Sequence, residues 1–140
     1  MREIKFRGKA LLSIEDLNSF GIEHSNGWVY GSLITNKGKP FIVGDLVETD
    51  PEYVIHEFWV EVDPKTVGQY TGLKDKNGTE IYEKDLVKDK LGRTYKVRYN
   101  EFCAFMLYPI DGNDFMAIYP VIELEVIGNV YESELLEVTE

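Results

Sequence analysis

The sequence predicts a mainly β protein, closed as a small bent barrel or sandwich and carrying one or two short helical turns. Three observations predict it. Apolar and polar residues alternate with period two in successive short runs, as at residues 57–62 and 94–99, which is the pattern of half-buried strands. Turn-forming clusters such as Asn77-Gly78 and Asp111-Gly112-Asn113-Asp114 separate these runs, as in a chain of hairpins. Only residues 13–20 and 132–136 read as helical, so about eight candidate strands must close their apolar faces on one another.

Ile4 and Phe6 alternate with Glu3, Lys5 and Arg7, giving an opening strand with one apolar face. Ser13 is placed to cap one helical turn, with Asp16 at its third position, and Gly21 and Asn26-Gly27 confine that turn. Residues 28–35 and 40–43 form a hairpin around Asn36-Lys37-Gly38-Lys39. In the run 57–62, Phe58, Val60 and Val62 face one way and Trp59 the other, and Asp63-Pro64 ends the strand. Asn77-Gly78 is the strongest hairpin signal, because a type I′ turn needs positive φ at both central residues. Gly68 and Gly72 mark a bulge or a close backbone approach in the strand before it.

Downstream, residues 94–99 put Tyr95, Val97 and Tyr99 on one face and Lys96 and Arg98 on the other. The apolar runs 102–110 and 115–123 are rich enough for central strands, and residues 137–140 should fray. A local echo links residues 40–48 with 80–88, which share Asp-Leu-Val after a short strand. It reads either as an old duplication or as coincidence.

The 140 residues suit one domain, 1–140, or two small β lobes of about 1–66 and 67–140. A formal net charge of −10 argues against a surface that embraces a nucleic-acid backbone everywhere. The charge is uneven, however. Residues 74–98 hold eight Lys or Arg against five Asp or Glu, whereas 123–140 hold six Glu and no base. Cys103 is the sole cysteine, flanked by Phe102, Ala104 and Phe105, and reads as a small buried hydrophobe. No apolar run approaches a membrane span or a secretory core, so a cytoplasmic protein without membrane partners is expected.

The run from Val67 to Val87, Val-Gly-Gln-Tyr-Thr-Gly-Leu-Lys-Asp-Lys-Asn-Gly-Thr-Glu-Ile-Tyr-Glu-Lys-Asp-Leu-Val, resembles the YopX-like family, small proteins encoded mostly by bacteriophages and prophages. Arg2-Glu3-Ile4-Lys5-Phe6-Arg7, Trp28-Val29-Tyr30-Gly31 and Ile127-Gly128-Asn129-Val130-Tyr131-Glu132 extend the likeness in the family's order. It implies an SH3-type β barrel in a bacterial host cell. Two positions depart from the pattern. Gly8 stands where Ala followed by Trp is expected, and Lys84 stands where Gly usually precedes Asp, a place where Lys takes positive φ less cheaply.

No residue pattern assigns a catalytic group, metal ligand or cofactor. His24 and His56 lack a second His or Cys at ligand spacing, and Val60 occupies the position a zincin helix would need as His. Asp45 and Asp85 occupy equivalent places in the echo, and each reads as the organiser of its own turn. The aromatic content is the better lead: nine Tyr, seven Phe and two Trp, residue types that supply contact area with a polar tip. The expected function is therefore a non-enzymatic binding module that contacts a host or phage protein or a second copy of itself. Its candidate surface is Trp28, Tyr30, Tyr70, Tyr82, Lys88, Lys90, Arg93, Lys96 and Arg98. The alternatives are nucleic-acid association through the bases at 74–98, with Tyr95 or Tyr99 for stacking, and mimicry of nucleic acid by the Glu-rich C-terminal stretch.

Overall fold

Antiparallel strands make up most of the computed structural model, which describes residues 3–100, 104–110, 115–118 and 123–132. The fold is mainly β, as the alternation predicts, and it divides into two compact units, Glu3–Gln69 and the residues from Tyr70 onward.

The first unit contains β1 (Phe6–Lys9), α1 (Ile14–Ser19), β2 (Trp28–Asn36), β3 (Lys39–Val43), β4 (Leu46–Asp50), β5 (Tyr53–His56), β6 (Trp59–Glu61) and a 3₁₀ turn at Pro64–Thr66. Ser13 caps α1 as its sequence implies, its Oγ accepting the Asp16 N–H at 3.1 Å. The sheet runs in the order β6-β3-β2-β1. Its inner face gathers Val29, Ile42, Val60 and Val62 around Leu17 of α1, all of them buried, with Phe6, Leu33 and Phe58 packed alongside. Strands β4 and β5 form a separate hairpin. Residues 53–56 carry no polar-apolar alternation to mark β5 as a strand.

The sheet curls until its ends meet. The Leu11 N–H donates to the Glu61 carbonyl at 3.0 Å and the Asp63 N–H to the Lys9 carbonyl at 2.9 Å, so the end of β1 returns to the end of β6. Thr66 fastens the join, its Oγ1 accepting the Lys9 N–H at 2.8 Å while donating to the Asp63 carbonyl at 2.6 Å. Such a narrow turn leaves no room inside. A Cβ on Gly8 would stand 2.7 Å from Cγ2 of Val62, which accounts for glycine where the resemblance leads one to expect a side chain.

The second unit takes over partway along β7 (Gly68–Lys74), whose first two residues still pair with β1. From Tyr70 the strand pairs with β8 (Glu80–Tyr82), and the register shifts between Tyr70 and Lys74, where Gly72 has φ of 88°. The expected bulge is therefore present. Strands β9 (Asp85–Lys88), β10 (Thr94–Tyr99), β11 (Phe105–Pro109), β12 (Met116–Ala117) and β13 (Glu125–Asn129) form one sheet in the order β12-β11-β10-β9-β13. Ile81, Val87, Tyr95, Val97, Leu107 and Leu124 are its buried core. Residues 130–132 are helical, and Asn129 Oδ1 accepts the Glu132 N–H at 2.9 Å. The expected helix is thus entered earlier than 132, and residues 133–136 lie outside the described set.

Two expectations change. Among the described residues the run 115–123 supplies only the two-residue edge strand β12, not a central one. Tyr99, the last residue of β10, shares a face with Tyr95 and Val97 as the alternation predicts and is exposed. The Asn77-Gly78 turn is not type I′, because Gly78 has φ of 84° while Asn77 is not in the left-handed region. The I′ pattern occurs instead at Lys37 and Gly38, with φ of 54° and 79° between β2 and β3. Cys103, the cluster 111–114 and residues 137–140 fall outside the described residues. Lys84, for its part, holds φ of 75°. The tight turn survives without glycine, with the Asp85 carboxylate accepting the Tyr82 N–H at 2.8 Å.

What replaces the I′ turn is an aspartate-capped loop, used twice. Asp75 Oδ1 accepts the N–H groups of Asn77 and Thr79 at 2.8 and 2.9 Å, and Gly78 closes a type I turn. Asp89 Oδ1 accepts from Leu91 and Arg93, both at 2.9 Å, and Gly92 closes that loop with φ of 82°. The second oxygens differ: that of Asp75 accepts the Val126 N–H at 2.9 Å, and that of Asp89 takes Tyr95 Oη and Arg93 Nε at 2.9 and 2.8 Å. Burial alone would raise both carboxyls. Hydrogen bonds from Val126, Thr79 and Asn77 nevertheless hold Asp75 below its usual range, and those from Arg93, Tyr95 and Leu91 bring Asp89 down to about 2.

Two tests follow from this geometry. Gly8→Ala should cost about 1–3 kcal/mol in chemical denaturation, and adding Val62→Ala should relieve the clash, so that the two changes are not additive. Because both aspartates bind protons less tightly folded than unfolded, their stabilisation is complete above about pH 4 and is lost as pH falls, toward about 2 for Asp89. Asp89→Asn should thus be less stable than the parent near neutrality, and urea titrations should show the difference shrinking between about pH 4 and pH 2.

Candidate interaction surface

Three of the four candidate aromatics are not on the surface. Trp28, Tyr70 and Tyr82 are only 6%, 5% and 2% exposed. Trp28 lies opposite Lys9 in the β1–β2 register, and the Arg7 guanidinium and Lys9 ammonium sit 5.0 and 5.7 Å from its ring, so long cationic side chains cover it. Tyr70 and Tyr82 are direct cross-strand partners with ring centroids 5.4 Å apart. Tyr30 alone of the four stays exposed.

Among the exposed aromatics that the candidate set lacks is Trp59, 63% exposed on β6, the outermost strand of its sheet. Its ring centroid lies 5.6 Å from that of Phe41. Phe41 faces Ile34 across β2–β3, and Trp59 faces Val43 across β3–β6. Because paired residues share a face, Ile34, Phe41 and Trp59 lie on the outer side of the first unit's sheet, with Glu61 opposite Phe41 and the buried Val43 opposite Trp59. The signal was present in the period-two pattern, which turns Trp59 away from Val60 and Val62.

The basic candidates separate into two groups. Lys96 pairs with Leu86 and Tyr108, Arg98 with Met106, and Lys88 with Thr94 and Glu125, so Lys88, Lys96 and Arg98 occupy the outer face of the second unit's sheet. The Arg98 guanidinium lies 4.7 Å from the Tyr108 ring. Lys90 and Arg93 are elsewhere, on the Asp89 loop, where Lys90 stands 3.7 Å from Glu123 and Arg93 2.8 Å from Asp89. The one stacking candidate still exposed is Tyr99, edge-on to Phe105, since Tyr95 is buried.

A cleft of about 410 Å³ in the first unit is lined by Glu3, Glu23, Asp45 and Glu57 together with Tyr30 and Phe58. His24 also reaches it, but its ring is committed to the loop: Nδ1 accepts the Gly27 N–H at 3.0 Å, which leaves Nε2 to donate to Asn18 at 2.8 Å. His56 donates from Nδ1 to the Gly44 carbonyl at 2.9 Å. Among the described residues no three His, Cys, Asp or Glu are grouped to hold a metal ion. Asp85 is buried and caps its own turn, whereas Asp45 is exposed and uses its carbonyl to accept the Glu57 N–H at 2.7 Å. The echo thus joins two turns of different backbone, since Lys84 is left-handed and Gly44 is not.

The family model described as YopX protein matches residues 23–137. The chain belongs to the YopX family. No curated protein matches it. In this YopX protein the matched span contains Trp59, Val62 and the whole basic face, while β1, with Gly8, and α1 precede it. Among the described residues no helix is long and apolar enough to cross a membrane.

The placement of the two tryptophans can be read by fluorescence. Trp28→Phe, which leaves Trp59, should give red-shifted emission open to iodide quenching. Trp59→Phe should give blue-shifted, protected emission, and equal quenching of the two variants would contradict the assignment.

Proposed function

We propose that this YopX protein is a non-enzymatic binding module of a phage or prophage, acting in the host cytoplasm through protein contacts on the outer side of its first sheet. The observation that carries the reading is Trp59, a large aromatic more than half exposed beside Phe41 at a sheet edge. Tryptophan is the residue type most enriched among the few side chains that dominate binding energy.

Photocrosslinking from position 59 tests this reading. A photoreactive side chain there, introduced in cells carrying the native genetic neighbourhood, should give one discrete adduct. The same group at Lys37, on the β2–β3 turn, should give none. An adduct of twice the chain mass identifies self-association, and a different mass identifies a partner. Failure to form any adduct specific to position 59 would count against the proposal.

A further inference from the structure

The outer face of the second unit's sheet is a separate surface with its own chemistry. Lys88, Lys96 and Arg98 lie on adjacent strands β9 and β10, and no carboxylate is within ion-pair distance of them among the described residues. Glu125, across from Lys88, is matched by Lys76 at 3.3 Å. The nearby aspartates are spent on the loops: Asp75, Asp85 and Asp89 all accept backbone N–H groups. Of the bases at 74–98, Lys88, Lys96 and Arg98 thus share this one side of the sheet. Beside these cations lie the Arg98–Tyr108 stack and the Tyr108–Phe115 pair, with ring centroids 5.4 Å apart and Phe115 exposed.

We infer that this face binds single-stranded nucleic acid, with Lys88, Lys96 and Arg98 meeting phosphates and the Arg98, Tyr108 and Phe115 planes receiving bases. The inference is independent of the contact proposed at Trp59. Cations interleaved with planar side chains on an open sheet match a strand whose base faces are free. A duplex buries those faces, and its major groove admits a helix or a two-stranded ribbon, not the face of a five-stranded sheet. The acidic remainder of the chain opposes association at low salt. At physiological ionic strength the Debye length of about 8 Å screens charge beyond the contact.

Fluorescence anisotropy of the whole chain with labelled oligo-dT, between about 50 and 200 mM salt, tests it. Three phosphate contacts predict log K falling with log salt at a slope of about −2. Lys96→Gln combined with Arg98→Gln should weaken binding about tenfold or more, and Phe115→Leu should weaken it severalfold with the salt slope unchanged. Lys37→Gln, in the first unit, should have no effect. A circular dichroism melt matching the parent's excludes misfolding of a variant, and Lys88→Gln gives a second, milder probe if the double variant melts early. Absence of salt-dependent binding at micromolar protein, equal affinity for duplex, indifference to Lys96→Gln/Arg98→Gln, or preference for polyglutamate over oligo-dT would each overturn the inference.

Discussion

One carboxylate ties the first hairpin of the second unit to its last strand. Asp75 receives three backbone N–H groups, two from its own loop and one from Val126, 51 positions later. Buried polar backbone must find partners, and here one side chain settles both the shape of a hairpin and the docking of the last strand. The neighbouring Lys76 N–H adds a bond to the Leu124 carbonyl at 2.9 Å. Strand β13 is thereby held where it can pair with β9, and the outer face that bears Lys88 and Glu125 follows from that pairing. The depressed proton affinity of Asp75 reflects the same bonds, which outweigh a burial cost acting in the opposite direction.

The first unit reaches closure by a different physical route. Its constraint is steric: β1 and β6 approach until Gly8 and Val62 leave no space for a side chain between them. Backbone bonds at Lys9, Leu11, Glu61 and Asp63 then complete what the close approach allows. Inside, aliphatic side chains and Leu17 fill the interior; outside, Trp28 is covered by Arg7 and Lys9 while Trp59 is left open. One sheet therefore buries one tryptophan and presents the other.

Much of this was legible in the sequence, for stated reasons. Period two placed Val60 and Val62 inward and Trp59 outward, put Lys96 opposite Val97, and marked 94–99 as a strand at its observed limits. Ser13 announced its cap because capping depends on residues three apart. What failed were judgements that need the partner strand. Trp28, Tyr70 and Tyr82 carry no local sign that they are covered, since the covering groups are brought by cross-strand register. The Asn77-Gly78 pair was read by its own preference, yet Asp75 sits two positions earlier and offers the loop a better acceptor than an I′ geometry would use. Asp89 repeats that device with Leu91 in place of Asn77. The aspartate and the glycine, not the asparagine, form the shared grammar.

The reach of Asp75 to Val126 also sets an order in time. Every strand of the sheet β6-β3-β2-β1 has been synthesised by residue 61, so the first unit has its pairing partners early, and domains commonly fold as they emerge. The second unit cannot complete its first hairpin's bonds until Val126, 51 positions after Asp75, has emerged. Until then the Asp75 oxygen meant for Val126 faces water, and β9 lacks one of its two neighbours. That interval exposes an unpaired edge of β9, which closes only when β13 arrives to pair with it.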